Sequence, residues 1–251
     1  MNALLISLLV FAIVFGGALL GAVIRPLLSE QHLQQDSKDI VKMTTALIGT
    51  LAALVLGLLI ASAKSSFDLK TNQVRQMTAT IILLDGLLAQ YGPEATPLRI
   101  GLRQSIQPMV DRIWHEQGID KPVHFESSAQ ALAFESELGR LTPNNDAQRS
   151  LQSRAVTAFT QGAQTRLLLF AQAGGSIPTP FLIILVFWLS AIFVSFTLFG
   201  QTNLVVMASL FLCALSFAGA IFLVLELDSA FTGLMGISSS TLRNALVPLN
   251  P

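Results

Sequence analysis

The sequence predicts an all-α membrane protein with four transmembrane helices in a 2+2 arrangement flanking a helical cytoplasmic domain. Three observations lead there. Residues 1–24, 43–63, 180–199 and 204–225 contain no Asp, Glu, Lys or Arg. A hydrocarbon layer of about 30 Å needs roughly 20 helical residues at about 1.5 Å rise each, and all four runs reach that length. The chain is 52% hydrophobic and only 12% charged, which leaves too little polar sequence to cover four such helices in a soluble core. The runs pair two and two around a polar segment of more than a hundred residues.

The chain therefore divides into a first helix pair (1–63), a helical domain (64–179), a second helix pair (180–226) and a tail (227–251). Only Met1 and Asn2 precede the first apolar core, without a basic residue. That core also exceeds the roughly 7–15 residues of a secretion signal, so it reads as a retained span. The second run has no breaker at its end, and a helix can continue from it into the polar segment. There Val74, Met77, Ile81, Leu84, Leu88 and Tyr91 alternate spacings of three and four along one face, until Gly92-Pro93 stops the helix.

A second cytoplasmic helix is predicted over Arg99 to Glu116, with Leu102, Ile106, Met109 or Val110, and Ile113 inward and a kink at Pro108. Gly118 to Pro122 reads as a loop. Ser127-Ser128 caps a shorter helix through Leu141, and Thr142 to Asp146 supplies turn and cap residues for the next. The last helix of the domain is expected to run to about Gln172, burying Leu151, Ala155, Phe159, Ala163, Leu167 and Phe170. Gly174 to Pro178 then returns the chain to the membrane.

Basic residues set the expected orientation. Near the membrane, Lys64, Lys70, Arg75, Arg166 and Arg243 on one side face Arg25, Lys38 and Lys42 on the other. The excess places both termini and the middle domain in the cytoplasm. The sole cysteine, Cys213, lies in the fourth run, so no disulfide forms within the chain. From Lys64 through Thr179 ten acids face eleven bases; near neutrality argues against a nucleic-acid surface, which needs a strong basic excess.

Small residues recur every fourth position on two spans: Gly17 and Gly21 on the first, and Gly49, Ala53, Gly57 and Ala61 on the second. Such rows let helix backbones approach closely where the hydrophobic drive is missing. The second row packs either inside one subunit or against copies of itself around an axis. Thr44, Thr45 and Thr50 carry hydroxyls that line a wet path or bond their own helix. Glu226 and Asp228 end the fourth run, either facing the cytoplasm, forming an ion site at a pore mouth, or pairing with Lys64 or Arg243.

Catalytic and cofactor motifs are missing. His115 and His124 have no Cys nearby and no His partner at ligand spacing, and His32 stands alone, so no metal site is expected. Gly174-Gly175-Ser176 lacks the following Lys of a phosphate loop, no Ser sits in a G-x-S-x-G turn, and Asp111, Glu116, Glu135 and Glu137 read as solvated helix faces. The protein is read as a non-enzyme without a cofactor.

The strings DSKDIVKMTTALIGTLAALVLGLLIASAKSSFD at 36–68, LLDGLLAQYGPE at 83–94, IPTPFLIILVFWL at 177–189 and FLCALSFAGAIFLVLELDSAFTGLMGISSSTLRNAL at 211–246 resemble the bestrophin-like domain family of bacterial membrane proteins. More distantly, the plan is similar to bestrophin ion channels. That resemblance implies a homo-oligomer, a pentamer, in a bacterial inner membrane, with lipid and inorganic ions as its other partners and the second span lining the pore. Bestrophins follow their fourth helix with an acid and a Pro-Phe-Gly turn; here Asp228 to Gly233 lacks the proline and inserts Thr232. Their calcium-holding acidic cluster has no counterpart, since Leu234 to Pro251 contains no Asp or Glu.

Bestrophin pores narrow on bulky apolar residues, including Phe, whereas Met43 to Ala63 contains none of the sixteen Phe. A constriction on this span would use Ile48, Leu51, Val55 or Leu58, below Thr44, and close by dewetting. Channel is the expected function; a non-conducting membrane-anchored sensor or scaffold is the alternative.

Overall fold

The computed structural model describes residues 2–27, 35–114, 129–171, 177–200 and 203–244. Among them there is no strand. The helices are α1 (Ala3–Ile24), α2 (Gln35–Tyr91), α3 (Thr96–Trp114), α4 (Ala129–Arg140), α5 (Asp146–Ala171), α6 (Thr179–Phe199), α7 (Leu204–Asp228) and the short α8 (Ser240–Asn244). Single 3-10 turns follow α1 (Arg25–Leu27) and precede α3 (Pro93–Ala95). Four helices, α1, α2, α6 and α7, are long and apolar enough to cross a membrane. Helices are the form such spans must take, because lipid offers no partner to backbone N–H and C=O groups.

The chain forms two compact units, one of Met1–Ser66 with Gly175–Asp228, the other of Phe67–Gly174 with Ser229–Pro251. The 57-residue α2 contributes to both without a break. In the first unit Val10, Val14 and Ala18 of α1 pack with Ala52, Leu59 and Ala63 of α2, Leu185, Leu189 and Phe193 of α6, and Leu210, Ala214 and Ile221 of α7. Phe11 stacks on Phe15 at 5.7 Å, and both meet the edge of Phe211 at 5.3 and 5.4 Å. Asn203 caps α7 by accepting from Val206 N–H at 2.8 Å.

Glycine decides how close α1 and α6 come. A Cβ on Gly17 would stand 3.3 Å from the Ser190 carbonyl. On Gly21 it would overlap the Thr197 hydroxyl and reach within 2.7 Å of the Val194 carbonyl. This is the small-residue contact of membrane helices, in which backbone approach replaces the hydrophobic drive that lipid removes.

In the second unit the predicted face of α2 is realised: Val74, Met77, Ile81, Leu84, Leu88 and Tyr91 are all buried. The helix ends at Gly92, whose φ of 125° only glycine adopts without strain. The orphan Tyr91 carbonyl accepts from Gln148 Nε2 at 2.9 Å. Gln148 also takes part in a reciprocal cap at the start of α5: its N–H donates to Asn145 Oδ1, and its Oε1 accepts from Asn144 N–H, both at 2.8 Å.

The α3 helix begins three residues before the predicted start and continues through Pro108 to Trp114. Of the two inward candidates, Val110 is buried and Met109 half-buried. Trp114 Nε1 donates to the Ile237 carbonyl at 2.7 Å and its ring meets the Phe231 edge, so the segment after α7 closes onto α3. Ala230, Phe231 and Leu242 lie in the same core.

One face is corrected. The expected α5 row included Ala155, which is buried, and Leu167, which is exposed; Ala158, Thr165 and Leu169, outside that row, are buried as well. Steps of four overshoot a turn by about 40° each, so a row spaced only by fours walks off its face, whereas alternating threes and fours hold it. The loop at 118–122, the cap at 127–128, Gln172, the Gly174–Ser176 turn, the three histidines and the side chain of Phe170 lie outside the described residues.

Candidate functional site

Within the first unit α2 is covered on one side only. Thr45, Ala52, Leu59 and Ala63 are buried, and their spacings of seven, seven and four keep them on a single face. Ile48 and Val55 lie at its edge, half-buried against the core. Thr44, Leu51 and Leu58, seven residues apart, are exposed; Leu51 and Leu58 retain 43% and 63% of their surface. Leu47 and Leu54, which the sequence reading did not single out, are exposed beside them.

The small-residue row of α2 turns away from the bundle as it proceeds. Gly49 is half-buried, with Ile192 Cδ1 4.0 Å from where its Cβ would stand. Ala53, Gly57 and Ala61 are exposed, and a Cβ on Gly57 would meet nothing within 4 Å. Gly49 and Ala53 also border a hollow of about 170 Å³ between α2, α6 and α7, walled by Phe193, Phe196, Cys213 and Phe217. Its lining is apolar, and apolar hollows of this kind stay dry.

Hydroxyls in the first unit mostly serve their own helices. Thr44 donates to the Ile40 carbonyl at 3.0 Å and Thr50 to that of Ala46 at 2.9 Å, the back-bond expected of membrane threonines. Thr45 instead pairs with Ser195 of α6 at 2.9 Å, a cross-helix bond that fixes the covered side of α2. At the end of α7 Glu226 is 5% exposed and Asp228 half-buried. Both residues have interaction partners. Among the described residues no group of three His, Cys, Asp or Glu side chains could hold a metal ion.

A charge cluster in the second unit escaped the sequence reading. Asp85 of α2 is fully buried, and Arg99 of α3 grips it with Nε at 3.2 Å and Nη2 at 2.9 Å. Arg103, one turn further along α3, approaches the same carboxylate at 3.7 Å. The hydrogen bond to Asp85 holds the Arg99 guanidinium more basic than usual. A two-toothed fork of this kind fixes both distance and orientation, so the cluster pins α3 to α2. The available signal was one acid in the apolar string IILLDGLL with two arginines four apart on the next helix.

The fold and this geometry define a class: a four-span helical membrane protein whose second span carries a long face that the described residues leave bare. A model of the Bestrophin-like domain matches residues 11–242, and the chain belongs to that family. Its structure is similar to the crystal structure of a mutant form of a bacterial bestrophin homolog from Klebsiella pneumoniae. The TM-score is 0.66 over 96% of this chain and 97% of that one, at 16% identity, a likeness of fold. No curated protein matches the chain.

Proposed function

We propose that this protein is the subunit of a homo-oligomeric ion channel, a ring of five in a bacterial inner membrane, with α2 lining the pore. Both termini and the Phe67–Gly174 segment then lie in the cytoplasm. The observation that carries the reading is the bare face of α2: Thr44, Leu51 and Leu58 are exposed on a span whose adjoining side, about 100° round the helix, is packed. In a ring this face meets the axis. Two leucines one heptad apart, about 10.5 Å along the helix, make an apolar neck that closes by expelling water. Ile48 and Val55 brace the neck from its edge, and Gly49, Ala53, Gly57 and Ala61 give the flank on which a neighbouring copy packs.

Exposed apolar side chains in the second unit favour the same assembly. Ile82, Leu83, Ile100 and Leu168 each retain more than 40% of their surface, a cost in water that further copies would remove. Glu226 and Asp228 are placed as charges near the pore mouth. The cargo is inorganic ions, and no step requires a cofactor.

Two measurements test the reading. Native mass of purified material is expected to give five copies. Planar-bilayer recording is expected to show conductance that rises several-fold in Leu51→Ala or Leu58→Ala, as a smaller apolar neck wets more readily. Five copies without conductance under any ion gradient would turn the reading to a scaffold, and a monomer would remove the pore altogether.

A further inference from the structure

The bare row of α2 does not end with Leu58. Thr44, Leu51, Leu58, Ser65, Asn72 and Ala79 recur every seventh residue, and each of them is exposed. A second row, Leu47, Leu54, Ala61, Asp68, Arg75, Ile82 and Ala89, keeps the same spacing and is exposed throughout. The two rows interleave in steps of three and four, so they form one seam along a helix that has no break. At 71% Leu54 is more exposed than Leu51 in the first row. The 57 residues of α2 reach about 85 Å at about 1.5 Å each, so the seam outruns a hydrocarbon layer of about 30 Å.

The composition of the seam says what covers it. From Leu47 to Ala61 its members are apolar; Ser65, Asp68, Asn72 and Arg75 are polar; Ala79, Ile82 and Ala89 are apolar again. Lipid suits the first stretch and water the second. Neither suits the third, where Leu83 is exposed beside Ile82 in the second unit. A soluble partner would cover only the later stretches, and gives no reason for the spacing of seven to persist unchanged from the membrane run into the polar one. The surface that carries the same three stretches in the same order is α2 of another copy, running parallel. A repeat of seven held over more than four heptads is the pattern of helices that wrap around one another, here with a left-handed twist. Polar residues at seam positions, Asn72 among them, fix the register, because a slipped copy would set charge against leucine.

We propose that copies of this chain meet in parallel along this seam over the length of α2, inside the membrane and beyond it. This contact presupposes the ring proposed above and gives its line of meeting. Leu47 and Leu54 then join Leu51 and Leu58 around the axis, and the apolar neck opens onto hydrated layers of Ser65, Asp68, Asn72 and Arg75.

The test uses the full chain carrying Cys213→Ser, in lipid nanodiscs. Single cysteines are placed on the seam by Leu54→Cys, Asn72→Cys and Ala79→Cys, and at exposed positions elsewhere by Leu132→Cys on α4 and Leu212→Cys on α7. A short bismaleimide is added and dimers are measured on a denaturing gel. Each seam position is expected to give at least fivefold more dimer than either control. Native mass of the same samples separates the two ways to fail. A single copy removes the ring, and the seam with it. Several copies in which Asn72→Cys and Ala79→Cys crosslink no more than the controls keep the ring and overturn the seam. Ala79→Cys is the mildest change and decides alone should either of the other two lower the copy number.

Discussion

The first and second membrane helices carry the same kind of motif with opposite outcomes. On α1, Gly17 and Gly21 lie against α6 so closely that a methyl group at Gly21 would overlap Thr197. On α2, Gly57 faces open space, and Ala53 and Ala61 are exposed beside it. One row is satisfied within the subunit and the other is not. A glycine row licenses close approach without naming the partner, and in lipid the unfilled row loses contacts that only another surface can return.

Substitution separates the two rows. Gly21→Leu drives a side chain into the Val194 backbone and should cost about 3 kcal/mol, the upper part of the overpacking range. The expected outcome is little folded protein in detergent, read by circular dichroism and monodispersity. Normal yield would mean that α1 and α6 part without penalty. Gly57→Leu should leave the thermal midpoint of the single chain unchanged yet abolish the proposed oligomer in native mass spectra. Unchanged subunit number would assign this row to lipid and break the comparison.

Two smaller effects sharpen what fastens α2. Asp85→Ala removes the carboxylate that Arg99 and Arg103 share. Breaking a buried pair costs about 3–5 kcal/mol, but both arginines are more than a quarter exposed and water re-solvates them, so about 2 kcal/mol is expected by chemical denaturation. Thr45→Val deletes the cross-helix bond to Ser195 and should cost about 0.6 kcal/mol, the mean for such bonds in a membrane. A larger loss would mean that the covered side of α2 depends on this hydroxyl pair more than on Ala52 and Leu59.

Much of the fold was legible because its signals are local. The buried face of α2 from Val74 to Tyr91 followed from alternating threes and fours, and its end from Gly92-Pro93. The α5 face was misread because Leu151 to Leu167 is spaced only by fours, and an apolar residue on a drifting row looks the same in sequence as one on a fixed face. Asp85 was passed over because a lone acid in an apolar string acquires its meaning from Arg99 and Arg103, which belong to another helix. On the candidate pore face, spacing grouped Thr44, Ile48, Leu51, Val55 and Leu58 together. Packing then divided them, with Ile48 and Val55 against the core and the other three outside it.

The sequence by itself determined which segments span the membrane and that they are helical. Both follow from the length of an uncharged run and from the need of every peptide group for a partner inside its own segment. Tertiary structure alone decided which side of each membrane span is covered, because a run that is apolar all round shows no face of its own and the choice depends on the shape of whatever lies opposite. Gly21 and Gly57 are the same residue in similar surroundings along the chain, and only the presence of α6 beside one of them makes the difference.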